Sequence, residues 1–172
     1  MKVIYPGSFD PFTLGHLDIV RRAAKTFGKV VIAIAYNNKK RGFLPLEVKI
    51  DLIKSATKDI DNIEVIVLKG LVIDYAREHS FDFLLRGIRA ASDFEQELEM
   101  SQVNRNLSVL QSKGDSSIVK ALETVFLMTS PEYSFIRASR VWELLELGGD
   151  ISGLVPDCVE SYLEENKVGY LQ

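Results

Sequence analysis

The groups in this chain best suited to phosphate chemistry lie within its first sixteen residues. A short apolar run, Val3-Ile4-Tyr5, leads into Gly7-Ser8-Phe9-Asp10-Pro11-Phe12-Thr13-Leu14-Gly15-His16, and the amphipathic run Leu17 to Phe27 follows. That order predicts a strand, a tight Gly/Pro loop and the start of a helix. Such a loop offers small residues and free backbone N–H groups, and the helix N-terminus adds a favourable dipole, so the arrangement suits a polyphosphate. Thr13 has the residue type of an N-cap, which places His16 at the third helical position. A histidine there faces the positive end of the helix, so its cationic form is disfavoured. Gly15 permits close approach of a ligand. The residue types alone leave two readings open for His16: a phosphate contact, or a surface histidine in a capping loop.

Three further loops fall at predicted strand ends and carry polar or basic residues: Asn37 to Gly42 with Lys39-Lys40-Arg41, Arg86-Gly87-Ile88-Arg89, and Thr129 to Ser139. Ligands of open parallel sheets bind beyond the C-terminal strand ends, so the convergence of four such loops is more informative than any one of them. Arginine suits phosphate through its planar fork. Lys39-Lys40-Arg41 taken alone reads as a solvated loop, and His79, after Glu78 near a helix end, reads as structural. Several alternatives lose support. The first loop matches neither GxGxxG nor GxxxxGK[ST]. There is no HExxH, no Cys/His cluster and no acidic spacing that closes a metal cage. Ser8, Ser134 and Ser139 have no evident His/Asp partners for nucleophilic catalysis.

Positioning these loops requires alternating strands and helices. Strands are predicted at Val3 to Tyr5, Val30 to Ala35, Ile63 to Leu68, Phe81 to Leu85 and Val125 to Met128, with Arg86-Gly87-Ile88-Arg89 breaking the fourth. Helices are predicted at Gly15 to Thr26, from Pro45 to about Thr57, at Val72 to Glu78, from about Ser92 with Asp93 in its first turn, and at Ser139 to Leu147 and Pro156 to Glu165. The expected fold class is α/β, a Rossmann-like, doubly wound, five-stranded parallel sheet with helices on both faces. At 172 residues the chain is expected to be a single domain. Tyr36 to Gly42 and the polar stretch around Gly114 are expected to be loops.

Composition narrows the class. A net charge of −3 argues against a nucleic-acid binder, which carries a basic face. One cysteine, Cys158, excludes an internal disulfide and a Cys-based zinc site, and it reads as a small apolar helix residue. The N-terminus has no secretory pattern, and no apolar run approaches the ~20 residues that span a bilayer. The expectation is a cytoplasmic protein with no membrane partner.

Together the segments resemble the bacterial phosphopantetheine adenylyltransferase family of the T/HxGH nucleotidyltransferase superfamily. The matching pieces are Tyr5-Pro6-Gly7-Ser8-Phe9-Asp10-Pro11, Thr13-Leu14-Gly15-His16-Leu17-Asp18, Arg86-Gly87-Ile88-Arg89-Ala90, Asp93-Phe94-Glu95 with Glu97, Asn104-Arg105, Val125-Phe126-Leu127-Met128 and Tyr133-Ser134-Phe135-Ile136. The TxGH pattern marks only the superfamily; its combination with the Arg-Gly-Ile-Arg and Asp-Phe-Glu segments marks this branch. The resemblance implies transfer of AMP from ATP to 4′-phosphopantetheine, giving dephospho-CoA and pyrophosphate in coenzyme A biosynthesis. It also implies a homohexamer, with Mg2+ arriving on ATP and no protein cage for the metal.

The resemblance implies residue roles as well. Ser8 and Phe9 contact ATP, Ser8 also reaches the acceptor phosphate, and His16 contacts the ATP phosphates. Val72 and Arg86 line the phosphopantetheine site. Gly87, Ile88, Arg89, Glu97, Tyr133, Ser134, Phe135, Ile136, Arg137, Ala138 and Ser139 hold ATP. The catalytic, acceptor-contacting lysine is Lys40 counted from the strand and Lys39 counted back from Phe43. The chain departs from the family in three places. Ile136-Arg137-Ala138-Ser139 replaces Ile-Ser-Ser-Ser, with Ser139 still expected to cap the next helix. Gln96 replaces a common tyrosine, and Gln111 to Lys120 reads as an insertion.

Overall fold

A computed structural model describes residues 1–36, 42–110 and 121–166. The expected loop carrying Lys39 and Lys40 and the expected insertion at 111–120 lie outside the described residues. Five parallel strands, β1 (Lys2–Gly7), β2 (Lys29–Ala35), β3 (Ile63–Leu68), β4 (Phe83–Ile88) and β5 (Glu123–Met128), form one sheet in the order β3-β2-β1-β4-β5. The helices are α1 (Leu14–Thr26), α2 (Leu46–Ala56), α3 (Val72–Glu78), α4 (Ala91–Leu110), α5 (Ala138–Glu146) and α6 (Asp157–Glu165), and one 3-10 turn covers Pro131–Tyr133.

Side chains alternate across the strands and so build two cores. On one face Val3, Tyr5, Ile32, Ile34 and Leu85 are buried with residues of α1, α2, α5 and α6. On the other, Ile4, Val31, Ala33 and Leu84 are buried with Ile73 and Ala76 of α3. Cys158 sits half-buried on α6 against the first core, as expected of a small apolar residue. His79 ends α3, its ring stacked on Tyr75 at 4.0 Å.

The chain winds outward from β1 through β2 to β3, then returns to β4 on the other side, so the strand order reverses between β1 and β4. Ligands of such sheets bind at that reversal. β1 pairs with β2 at six positions, Lys2↔Lys29 through Gly7↔Ile34, but with β4 only at Val3↔Phe83 and Ile4↔Leu84. Pro6 contributes to the parting, because it has no N–H to give to a ladder. Its carbonyl accepts a hydrogen bond from the Arg86 side chain instead, at 3.0 Å. A crevice therefore opens between the C-terminal halves of β1 and β4.

Two sequence expectations need correction. Arg86-Gly87 does not break the fourth strand, which runs on to Ile88 because β5 supplies a ladder at Arg86↔Phe126, Gly87↔Leu127 and Ile88↔Met128. Phe81 precedes that strand and packs into the second core. Ser139 does not cap α5: the cap position is Arg137, without a side-chain bond, and Ser139 lies in the first turn.

Candidate active site

The crevice widens into a cleft of about 260 Å3. It is lined by Tyr5, Pro6 and Gly7 of β1, by Arg86 and Gly87 of β4, by Ser8, Phe9, Thr13, Gly15 and His16 of the first loop and α1, and by Thr129, Ile136 and Ala138 from beyond β5. Gly87 leaves room for close packing: a Cβ there would lie 3.2 Å from Ile19 Cγ1 and 3.3 Å from the Tyr5 hydroxyl, tighter than ordinary contact. Burial pushes that hydroxyl far above its ordinary range, against the opposing pull of Arg86 and Arg89. Tyr5 therefore stays protonated at neutral pH.

His16 is held by the start of its own helix. Thr13 caps α1, its hydroxyl oxygen accepting the His16 backbone N–H at 3.4 Å. In return His16 Nδ1 accepts the Thr13 backbone N–H at 3.1 Å and lies 3.0 Å from the Thr13 hydroxyl. An Nδ1 that accepts from a backbone N–H carries no proton, so the neutral ring is protonated at Nε2. The ring packs between Phe12, stacked at 5.6 Å, and Phe9, edge-on at 5.2 Å. Burial first, and the Arg89 charge second, lower the His16 pKa to about 4. At neutral pH His16 thus presents an uncharged Nε2–H donor to the cleft. Phe9 supports this from a left-handed backbone, φ +46°, which turns its ring inward. There it is 1 % exposed and closes over Gly7, where a Cβ would come within 2.8 Å of the ring.

Two arginines rise from the end of β4. Arg89 donates from Nε to Asp93 Oδ2 at 2.9 Å and from Nη1 to the Ile136 carbonyl at 3.4 Å, tying α4 to the far side of the cleft. Arg86 donates from Nε to Glu97 Oε2 at 2.6 Å and from Nη2 to Glu97 Oε1, a side-on bidentate pair. Behind this pair lies a second cavity of about 280 Å3, largely apolar, lined by Leu68, Leu71, Val72, Leu84 and Met100, with Ser101 and Asn104 among its polar groups.

The structure thus gathers Ser8, Phe9, His16, Arg86, Gly87, Arg89, Glu97, Ile136 and Ala138 around the first cleft, and Val72 with Arg86 and Glu97 around the second. Ile88 is buried at 1 % exposure. Tyr133, Ser134, Phe135, Arg137 and Ser139 do not line the first cleft. Phe135, Arg137 and Arg140 instead border a hollow beside Leu144 and Leu154. Lys39 and Lys40 lie outside the described residues.

Two carboxylates that brace the site have no role legible from residue type. Asp18 accepts from Ser130 N at 3.0 Å and Ser130 Oγ at 2.9 Å, with Arg22 at 3.2 Å, and so fastens α1 to the segment after β5. Asp10 accepts from Phe43 N at 2.9 Å, Leu44 N at 3.1 Å and Lys49 Nζ at 2.9 Å, and its carbonyl accepts the Trp142 indole N–H at 2.8 Å. It therefore fixes the chain just beyond residues 37–41. Apart from Arg22, four residues on from Asp18 along α1, their partners are 33 to 132 residues away in the chain, so local spacing does not announce these braces.

The cytidylyltransferase-like family model matches residues 4–144. A phosphopantetheine adenylyltransferase of Campylobacter hominis is 42% identical over 164 residues, covering 95% of this chain and 96% of the relative. That of Prochlorococcus marinus is 44% identical, covering 96% and 98%. That of Rubrobacter xylanophilus is 46% identical, covering 90% and 87%. A solved Vibrio parahaemolyticus chain, assigned as a nicotinate-nucleotide adenylyltransferase, superposes with a TM-score of 0.68 at 13% identity, covering 99% and 96%, and shares the fold. With a matching family model over most of its length and near full-length relatives above 40% identity, the chain belongs to the cytidylyltransferase-like nucleotidyltransferases, in their phosphopantetheine adenylyltransferase family.

Proposed function

We propose that this protein transfers AMP from ATP to 4′-phosphopantetheine, giving dephospho-CoA and pyrophosphate in coenzyme A biosynthesis. The observation that carries the reading is the meeting of two unlike cavities at Arg86: a polar cleft beneath a helix N-terminus, and an apolar channel. The first suits the ATP phosphates and the second the pantetheine arm. Ser8, Phe9, His16, Gly87, Ile88, Arg89, Glu97 and the stretch Tyr133 to Ser139 are assigned to ATP, and Ser8, Val72 and Arg86 to the acceptor. Lys39 or Lys40 completes the set from the following loop.

The reaction is an in-line displacement. An oxygen of the acceptor phosphate attacks the ATP α-phosphorus, the bond to the bridging oxygen breaks, and pyrophosphate leaves with that electron pair. The nucleophile is already ionised at neutral pH, so no general base is needed. Catalysis rests on positioning and on stabilising charge around the transferring phosphorus. The neutral Nε2–H of His16 supports that role: it donates to a phosphate oxygen and takes no proton.

Mg2+ would enter on the nucleotide and neutralise phosphate charge. Glu97, the carboxylate that lines the cleft, is paired with Arg86, and Asp93 nearby on α4 with Arg89. Among the described residues no group of three or more His, Cys, Asp or Glu is placed to hold a metal. We also propose a homohexamer in the cytoplasm. The exposed apolar side chains Phe94, Leu98, Met100 and Val103 along α4 support self-association. Among the described residues no helix is long and apolar enough to cross a membrane.

The test is a panel of ATP or CTP against several phosphorylated acceptors, read by pyrophosphate release. Turnover is expected with ATP and 4′-phosphopantetheine. Preference for CTP, or for another acceptor, would refute the assignment.

A further inference from the structure

Tyr5 is a core residue of β1, 5% exposed, whose packing makes no use of its hydroxyl. The core around it is apolar: Val3 on the same strand, Ile32 paired with it on β2, and Ile19 of α1. The Phe9 ring meets it edge-on at 5.4 Å. A phenylalanine would fill the same space. Buried tyrosine hydroxyls ordinarily find a hydrogen-bond partner, because an unpaired one is destabilising. Among the described residues this hydroxyl has none.

The oxygen is nevertheless not sealed into the core. Tyr5 lines the first cleft. Among the described residues the unpaired side-chain polar atom that is fully enclosed is Thr124 Oγ1, not the Tyr5 hydroxyl. Gly87 keeps the approach open, since a Cβ there would lie 3.3 Å from the hydroxyl. We propose that Tyr5 is a nucleotide-binding residue whose hydroxyl donates a hydrogen bond to an acceptor oxygen of ATP, on the ribose or on the phosphate chain. This rests on the function proposed above.

The surroundings support the assignment. His16, Arg86 and Arg89 line the same cleft. Tyr5 and His16 both meet the Phe9 ring edge-on, at 5.4 and 5.2 Å, so one buried aromatic ring supports two uncharged donors. Burial keeps the phenol protonated, so it donates without adding a negative charge beside the phosphates. A hydroxyl left unpaired in the free protein lowers its stability and gains a partner only on binding, which is the trade expected of a site residue rather than a packing residue.

The test is calorimetric titration of ATP into wild type and Tyr5→Phe, paired with thermal unfolding of the two free proteins. The substitution removes the hydroxyl and leaves the ring. The Kd for ATP should rise roughly ten-fold, the effect of losing one hydrogen bond to the ligand. Free Tyr5→Phe should melt no more than about 3 °C below wild type, because no protein partner is lost. Tripolyphosphate as a second titrant locates the acceptor: a similar loss of affinity places it on the phosphate chain, and an unchanged Kd places it on the ribose. An unchanged Kd for ATP overturns the proposal. So does a larger fall in Tm, which would show that the hydroxyl is paired within the protein. Wild type that binds no ATP would defeat the proposed function together with this contact, whereas equal ATP binding by both proteins defeats the contact alone.

Discussion

Lowering the pH should unfold this protein partly through His16, by an amount that follows from its surroundings. The folded-state pKa is about 4, against an ordinary 6.5 in the unfolded chain. The causes are packing between Phe9 and Phe12 and the nearby Arg89 charge. Between these values the unfolded chain binds a proton that the folded chain does not, so stability falls as pH falls. The contribution is fully present above pH 6.5 and is lost on the way down to pH 4. Linkage gives a loss of about 2 kcal/mol at pH 5 and about 3 kcal/mol at pH 4 from this one ring. Urea unfolding of wild type and His16→Gln at intervals from pH 7.5 to 4.5 isolates it. The wild-type curve should drop more steeply, with the gap between the two closing by about 2 kcal/mol from pH 7 to pH 5. Parallel curves would mean that His16 does not carry this pH dependence. So would an NMR titration placing the His16 midpoint near 6.5, because the ring would then lack the depressed pKa that keeps it neutral throughout the neutral range.

Other consequences test the braces. Asp10→Ala strips Lys49 of its partner in a pair only 10% and 11% exposed and orphans two backbone N–H groups. It should cost about 3–5 kcal/mol in urea unfolding, and Asp10→Ala with Lys49→Met should recover part of that loss. Asp18→Ala frees Ser130 from α1, so the KM for ATP should rise by roughly ten-fold while that for 4′-phosphopantetheine moves far less. Of Lys39→Ala and Lys40→Ala, one should lower kcat by roughly 10²-fold and the other by less than about three-fold; equal, small effects would remove both from the mechanism.

Much of the fold is legible in the sequence because it depends on local periodicity. The apolar run Val30 to Ala35 reads as a strand because both its faces are covered, and β2 spans Lys29–Ala35. Thr13 reads as a cap because its hydroxyl meets the orphan N–H of His16 three residues on. What escapes is set by distant partners. β4 continues through Arg86-Gly87 because β5, some forty residues later, pairs with it. Asp10 and Asp18 look like ordinary loop and helix acids until Lys49 and Ser130 fold against them. The site is legible as a set of strand-end loops. The division of labour within it, two cavities meeting at one clamped arginine, is a property of the assembled sheet. It follows from where β1 and β4 part, which no single segment encodes.

In the proposed reaction a neutral His16 stabilises the transferring phosphate and no base is needed. The most direct test is the turnover of wild type and His16→Ala with ATP and 4′-phosphopantetheine, with folding verified by circular dichroism. A loss of kcat of roughly 10²–10³-fold is expected, the effect of removing one donor from a charged transition state, with a smaller change in KM for the acceptor. Wild-type kcat in a folded His16→Ala protein would contradict it.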